Sequence, residues 1–186
     1  EDVGNGAQAL GRIAQIETKK KNPLLTESFF KVACDVTNPL CGENGATFVF
    51  GPQKGVTEEQ KVPIDGAMKH YAAITEQTLA CDCVNAKGSG AAGGMGFAFL
   101  SYLQAELIPG IDLILDAVGI EQELKDADIV VTGEGKLDFQ TAMGKAPVGV
   151  AKRAKKHGAK VIAFAGSVTP EAAACNKVGI DAFFPI

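Results

Sequence analysis

One short stretch of the chain concentrates side chains that could do chemistry. Between residues 134 and 145 carboxylate, ammonium, amide and hydroxyl groups alternate with glycine: Glu134, Lys136, Asp138, Gln140, Thr141 and Lys145. The stretch follows a run typical of a buried strand, 128–132, and precedes a run typical of a helix, 146–157. In α/β folds, ligands bind in the loops that follow the carboxyl ends of strands. The stretch therefore predicts a binding site for an anionic ligand.

The residue types indicate how such a site would work. Lys145 lies beside the predicted helix start, where an ammonium group and backbone amides suit a phosphate. Gly133 and Gly135 would let the backbone approach a ligand closely. Asp138 or Glu134 could bind Mg²⁺ or deprotonate a hydroxyl. The alternative interpretation is a solvent-exposed polar turn.

Two further stretches are candidates for the same chemistry. The Gly-rich residues 90–96 could cradle a phosphate, and tight packing of a helix on a strand explains them equally well. Asp35 and Asn38 follow a predicted strand and either face a ligand or form a turn before a proline. A P-loop is excluded, because Ala146 follows Gly144 and Lys145 where that motif requires Ser or Thr.

A regular alternation of elements positions the main candidates. The order after residue 127 predicts parallel pairing with right-handed crossovers: strand 128–132, helix 146–157, strand 160–165, helix 170–178 and strand 181–184. The earlier part predicts a strand at 29–36, a helix from Thr57 that kinks or starts late at Pro63, and a helix at 97–107. We therefore expect an α/β protein with a flavodoxin-like or Rossmann-like segment at 127–186 and a second α/β domain at 1–126.

The composition restricts the class of partner. The 186 residues are 46% hydrophobic and 22% charged, which is typical of a globular protein with a real core. The net charge of −4 argues against nucleic acid as a main partner. No run of about 18 apolar residues predicts a membrane span. The odd number of scattered cysteines, five, predicts reduced thiols in the cytoplasm.

Five segments together resemble the bacterial type I glycerate kinase family. They occur in the family's order and spacing: residues 33–55 (ACDVTNPLCGENGATFVFGPQKG), 90–96 (GAAGGMG), 109–112 (PGID), 132–145 (TGEGKLDFQTAMGK) and 163–167 (AFAGS). The family phosphorylates D-glycerate with ATP and Mg²⁺, usually giving 2-phosphoglycerate rather than 3-phosphoglycerate. It has two α/β domains with the active site in a cleft between them. The resemblance therefore implies a kinase.

The resemblance also implies roles for residues. Asp138, Lys145 and Glu134 would be catalytic, with Asp138 as base or Mg²⁺ ligand and Lys145 on the phosphate. The remaining candidates would bind substrate or phosphate: Asp35, Asn38, Gly93, Gly94, Gly133, Gly135, Gln140 and Thr141.

The length departs from the family, whose members are about twice as long. We expect this chain to be the middle and C-terminal part of such a kinase, partnered by a missing N-terminal half and inactive without it. A homodimer is an open alternative to a monomer. Two other functions also stay open at this point: another enzyme acting on phosphate ligands, and a non-catalytic small-molecule-binding α/β domain.

Overall fold

The computed structural model describes residues 3–186. The strands are β1 Lys31–Ala33, β2 Glu106–Ile108, β3 Ile129–Leu137, β4 Lys160–Val168 and β5 Ala182–Pro185. The α-helices are α1 Ala46–Phe50, α2 Glu58–Leu79, α3 Met95–Leu103, α4 Gly110–Ala117, α5 Ile120–Leu124, α6 Phe139–Ala142 and α7 Ala146–Lys156. Short 3-10 helices span Ala7–Arg12, Pro23–Thr26, Pro52–Lys54, Ala91–Gly93 and Pro170–Val178. The predicted α/β class with parallel sheets is confirmed.

The chain divides into two compact units, Glu1–Pro109 and Gly110–Ile186. The division falls before α4 because α4 packs on α7 in the second unit. Gly149 of α7 makes this packing close, since a Cβ there would lie 2.5 Å from Cγ1 of Ile111. The domain boundary expected after residue 126 stays a prediction.

The first unit is built around α2. The capping box predicted at Thr57 is present, with the Thr57 backbone amide donating to the Gln60 side chain at 3.0 Å. The helix runs unbroken from Glu58 past Pro63, so the expected late start is wrong, whereas the alternative expectation of a kink at Pro63 stays a prediction. One face of α2 contributes to a small core that consists of Leu40, Ala46, Met68, Ala72 and Phe97.

A two-stranded parallel sheet in this unit corrects the helix predicted at 97–107. Helix α3 ends at Leu103, because Gln104 adopts a left-handed conformation with φ of 51°. The following residues form β2, which pairs with β1 in the register Val32↔Leu107. Residues 106 and 107, expected to end that helix, therefore belong to a strand, and their pairing partner lies more than 70 residues earlier in the chain.

The second unit is a three-stranded parallel sheet in the order β3-β4-β5. Helix α7 connects β3 to β4, and the 3-10 helix 170–178 connects β4 to β5. Both connections pack on one face of the sheet. Their shared core consists of Leu124, Leu137, Val148, Ala151, Ala154, Ala159, Val161, Ala163, Ala165, Ala172, Cys175 and Ile180.

Strands β3 and β4 are longer than predicted. Their pairing continues to Lys136↔Ser167 and Leu137↔Val168, well past the expected ends at 132 and 165. Gly133 allows the extension, because a Cβ there would lie 2.5 Å from the carbonyl oxygen of Phe164 on β4. The first part of the predicted site loop is therefore strand, and its side chains are held by sheet pairing.

Among residues 3–186, no helix combines the length and hydropathy needed to cross a membrane. The five cysteines are free thiols, as predicted; Cys175 is buried, and the others are half-buried.

Candidate functional site

A buried hydroxyl joins the Glu134 carboxylate to the backbone of Asp138 at the carboxyl end of β3. Thr141 is fully buried, and its Oγ1 donates a hydrogen bond to Oε1 of Glu134. The same oxygen accepts the backbone N–H of Asp138 at 3.2 Å. One side chain thus links Glu134 on β3 to Asp138, the first residue after the strand. Thr141, predicted to contact substrate, is here buried and makes hydrogen bonds within the protein.

Asp138 is the N-cap of the short helix α6. Its Oδ1 accepts the backbone N–H groups of Gln140 at 2.9 Å and Thr141 at 3.3 Å. With the Thr141 hydroxyl on the Asp138 amide, this is a capping box, which satisfies donors that a helix start leaves open. The Asp138 carboxylate therefore has a fixed position, and its side chain keeps 22% of its surface exposed.

Two ammonium groups flank this carboxylate. Nζ of Lys136 lies 3.9 Å from Oδ2 of Asp138, and Nζ of Lys145 lies 3.8 Å from Oδ1. The lysine side chains are 58% and 42% exposed, so these are loose surface ion pairs worth at most about 1 kcal/mol each. An arriving anion could therefore recruit both ammonium groups at little cost. With Asp138 ionised the three side chains carry a net charge of +1.

The start of α7 contributes fewer amides than expected. The N–H groups of Val148 and Gly149 both donate to the carbonyl of Lys145 at 3.0 Å. Pro147 has no N–H to offer. In the described turn 146–149 this leaves the Ala146 amide for a ligand. Positive charge at this place therefore comes mainly from lysine side chains.

The segment after β4 also contributes to this part of the structure, although residue types alone did not predict it. Parallel pairing brings the end of β4 beside the end of β3, and the Thr169 N–H donates to the Leu137 carbonyl at 3.0 Å. Beyond it lies the exposed Glu171. The Thr169 side chain and Glu171's own backbone amide lower the pKa of this carboxyl, and Lys136 lowers it further. The stretch 163–167 lies within β4, and the parallel pairing expected for the strand at 160–165 was the signal that the end of this strand adjoins the site.

A thiol lies beneath the same site. Cys175 is fully buried on the 3-10 helix 170–178. Burial raises the pKa of its thiol, and the negative charges of Glu134 and Asp138 raise it further. The raised pKa keeps this thiol neutral, so Cys175 adds no charge beside Glu134 and Asp138.

Four of the predicted residues, Asp35, Asn38, Gly93 and Gly94, belong to the first unit. The Asn38 side chain donates to the carbonyl of Asn44 at 2.8 Å, and so braces its own loop. Gly94 is close-packed, because a Cβ there would lie 2.8 Å from Cε of Met68. At Gly93 the neighbour is the ammonium group of Lys54, 3.9 Å from the equivalent position. Asp35 is exposed. The joint use of this group with the residues of the second unit stays a prediction.

The donor set at Asp138 suits one kind of metal binding. Among residues 3–186, no three His, Cys, Asp or Glu side chains are grouped as a metal cage. Mg²⁺ does not need such a cage, because it commonly binds one or two carboxylates and takes its other oxygens from substrate phosphates and water. Asp138, half-exposed between two ammonium groups that attract phosphate, fits this second arrangement.

Comparison with known proteins gives consistent matches. The chain is 45% identical to the glycerate kinase of Bacillus subtilis (strain 168) over 185 residues, which is 100% of this chain and 48% of that protein. It is 42% identical to the glycerate 2-kinase of Escherichia coli (strain K12), covering 100% of this chain and 49% of that protein. The chain thus spans about half the length of these relatives. That this half is their middle and C-terminal part, as expected, is not confirmed.

The structural comparison agrees with the sequence matches. A crystal structure from Salmonella typhimurium LT2, described as a glycerate kinase 2, matches with a TM-score of 0.86 and 42% identity, covering 100% of this chain and 48% of that one. The model of the glycerate kinase family matches residues 1–186. The chain belongs to the glycerate kinase family.

Proposed function

We propose that the chain is part of a glycerate kinase, which transfers the terminal phosphoryl group of Mg·ATP to a hydroxyl of D-glycerate. Family membership supports this, as do the names of the relatives. The observation that carries the proposal is the cluster at the end of β3, where two exposed ammonium groups flank one helix-capping carboxylate. The name of the E. coli relative favours 2-phosphoglycerate over 3-phosphoglycerate as the product.

Phosphoryl transfer demands charge neutralisation and positioning more than covalent chemistry. Lys145 and Lys136 supply positive charge on mobile stems, so both can follow a phosphate that moves between donor and acceptor. Lys145 would hold the transferred group, since it also begins α7, whose helix dipole favours negative charge at that end. This arrangement lowers the cost of the charge that accumulates in the transition state.

Asp138 has the second role. Its Oδ1 is occupied by the cap, whereas Oδ2 faces Lys136 at 3.9 Å and has room to take a proton or a cation. As a base, Asp138 would accept the proton of the attacking hydroxyl of glycerate. As a metal ligand, it would hold the Mg²⁺ that accompanies the nucleotide phosphates. Both roles need the same fixed carboxylate.

When bound at Asp138, Mg²⁺ would neutralise part of the negative charge of the phosphates. Glu134 would support Asp138, since both are tied to the Thr141 hydroxyl. Gln140 is exposed beside the cap and would donate its amide to substrate. The residues proposed to complete the site through backbone or polar contacts are Asp35, Asn38, Gly93, Gly94, Gly133 and Gly135.

The proposal includes the setting of the enzyme. Its partners are ATP and D-glycerate, with neither nucleic acid nor membrane involved, and its location is the cytoplasm. The other half of a family-length chain completes the cleft, so the 186 residues alone would turn over little or no substrate. A homodimer of the complete enzyme is compatible with the proposal.

The test is release of ADP from Mg·ATP with and without D-glycerate, by a family-length protein that carries this chain. Release that depends on D-glycerate supports the proposal, and its absence refutes it. Binding of ATP without turnover would favour a sensing domain instead.

The residue roles need variants of the same protein. Asp138→Ala should lower kcat by about 100-fold or more if the carboxylate acts in acid–base work. Asp126→Ala, an exposed carboxylate of the same unit, is the matched control and should leave kcat unchanged. Normal turnover of the Asp138 variant would remove that residue from the mechanism.

A further inference from the structure

Two cysteines separated by one residue follow helix α2. The helix ends at Leu79, and Ala80 turns the chain in a left-handed conformation with φ of 52°. Cys81 and Cys83 are both half-buried, whereas Asp82 between them is exposed to solvent. The Cys83 thiol hydrogen-bonds to the Cys81 thiol. The two sulfur atoms are therefore neighbours, and a small reagent in solution can reach the segment that carries them.

The other three thiols are less suited to reaction with a reagent or with one another. The Cys34 thiol donates to a backbone carbonyl at 3.3 Å. Cys175 is fully buried in the second unit. Cys41 packs in the same core as Cys83, but burial and the Asp65 carboxylate raise the pKa of its thiol to about 11. Since the thiolate is the reactive form, Cys41 stays protonated and slow to react.

Hydrogen bonds hold the segment that carries the pair. The Glu76 carboxylate accepts the backbone N–H groups of Cys83 at 2.7 Å and Val84 at 2.8 Å. The Val84 carbonyl in turn accepts the Leu40 backbone N–H at 3.0 Å and the Ser89 hydroxyl at 2.9 Å. A movement of the backbone at residues 83–84 is therefore transmitted to two neighbouring loops.

One of these loops leads into the Gly-rich turn. The Gly90 N–H donates to the Asn38 carbonyl at 3.0 Å, and a Cβ at Gly90 would lie 2.2 Å from the carbonyl oxygen of Pro39. Packing this close leaves little room for the turn to absorb a shift of its neighbours. Gly93 and Gly94, predicted to bind phosphate, follow directly in the chain. Their position thus depends on the segment that carries the two thiols.

We propose that Cys81 and Cys83 form a redox-sensitive dithiol site, which hydrogen peroxide oxidises to a disulfide and a dithiol reductant restores. The Cys81 sulfur attacks one peroxide oxygen, the O–O bond breaks, and water leaves with the thiol proton, so Cys81 becomes a sulfenic acid. The Cys83 sulfur then attacks the Cys81 sulfur, the S–S bond forms, and the S–O bond breaks with loss of a second water. Two thiols are oxidised and one peroxide is reduced.

The order of the two thiols follows from their surroundings. Burial raises the pKa of the Cys83 thiol, and the Ser101 hydroxyl offsets this only in part. Cys83 is therefore the second thiol to react, after Cys81 has met the peroxide. The site needs neither the phosphate ligands nor the reaction proposed above.

Formation of the disulfide has a structural consequence. The two sulfur atoms move from non-bonded contact to a bond of about 2.05 Å. Because one residue separates the cysteines, the backbone takes up part of this movement. Its nearest fixed points are the N–H groups of Cys83 and Val84 on Glu76. We expect oxidation to loosen these two hydrogen bonds and, through the Val84 carbonyl, to alter the turn at 90–94.

The test is peptide mapping combined with hydrogen exchange. This chain is purified with a dithiol reductant, freed from it and exposed to hydrogen peroxide, and the remaining thiols are alkylated before digestion with trypsin. Cleavage after Lys69 and Lys87 places both cysteines, and no other, in the peptide 70–87. This peptide should lose two hydrogen atoms and regain them with dithiothreitol. Hydrogen exchange at residues 83–90 should be about threefold faster or more in the oxidised chain, because hydrogen bonds of the backbone are weakened.

Two variants identify the thiols that react. Cys81→Ser should abolish both the disulfide and the change in exchange, whereas Cys41→Ser, the matched control from the same core, should keep both. If Cys81→Ser fails to fold, Cys81→Ala replaces it with the same expectation. Cysteines of the peptide 70–87 that stay reduced or are oxidised separately overturn the proposal, as does a disulfide that links this peptide to another one. A disulfide within the peptide that leaves exchange at 83–90 unchanged also overturns it, because the pair would then not act on the Gly-rich turn.

Discussion

Replacing Thr141 by Val removes one hydroxyl and keeps the shape of the side chain. The hydroxyl makes two hydrogen bonds within a fully buried environment, one to the Glu134 carboxylate and one from the Asp138 amide. The valine variant therefore leaves a carboxylate oxygen and a backbone N–H without their partners. The cap on α6 would lose one of its two halves.

The magnitude follows from the two bonds. A hydrogen bond to a charged acceptor contributes about 1.5–3 kcal/mol, and a neutral one contributes about 0.5–1.5 kcal/mol. We expect Thr141→Val to lower the free energy of unfolding of the second unit by about 2–4 kcal/mol. Thr141→Ser is the matched control: it keeps the hydroxyl and loses one buried methyl group, at a cost of roughly 1 kcal/mol.

The assay is urea unfolding of this chain, followed by circular dichroism and by hydrogen exchange at residues 134–141. Exchange separates the second unit from the first, so a two-step transition does not confuse the comparison. In a family-length protein that carries this chain, kcat should fall more in the valine variant than in the serine variant. Equal stabilities for the two variants would refute the view that the hydroxyl holds the site together.

Two other predictions concern the second unit. Gly149→Ala should lower the free energy of unfolding by roughly 1 kcal/mol. The clash with Ile111 costs about 1–3 kcal/mol, and the gain in helix propensity of about 1 kcal/mol offsets only part of it. In an Ile111→Ala background the same change should stabilise the protein, and thermal melts of the original chain and the three variants check the sign. The ammonium group of Lys155 and the Val161 amide hold the pKa of Asp181 at about 2, below its ordinary value of 3.8. The contribution of this carboxylate to the free energy of unfolding is therefore complete above pH 4 and is lost as the pH falls towards 2. Urea titrations at pH 2–5 should show a smaller loss in Asp181→Asn than in the original chain, with Asp126→Asn as control; parallel profiles for all three would contradict the assignment.

Local patterns in the sequence predicted the second unit well. The alternation of apolar strands with the helix at 146–157 depends on nearest neighbours in the chain, and pairing of consecutive parallel strands follows from it. The end of β3 was wrong by five residues, from 132 to 137. Glu134 and Lys136 are polar, and their polarity resembles that of a loop. They are strand residues because β4 continues alongside them, which only the pairing reveals.

The first unit shows what local patterns leave out. Leu107 and Ile108 are apolar and follow a helix, and nothing nearby distinguishes them from its last turn. Their partner is Lys31–Ala33, so their conformation is decided by a contact distant in sequence. The site shows the same limitation: the 134–145 cluster was found from residue types alone, whereas the approach of Glu171 and Cys175 requires β4 to bring them there.

Because of the position of Cys175, the rate at which its thiol is labelled can measure how often the site region opens. The thiol is fully buried under Glu134 and Asp138, and its raised pKa keeps it protonated and slow to react. A maleimide or disulfide reagent can therefore reach it only when the 3-10 helix 170–178 separates from the sheet. The four other thiols are half-buried and should be labelled earlier. The slow phase of labelling would measure how often this region opens in the native protein. A ligand that binds across the two lysines would lengthen that phase by a factor of one plus the ratio of the free ligand concentration to Kd.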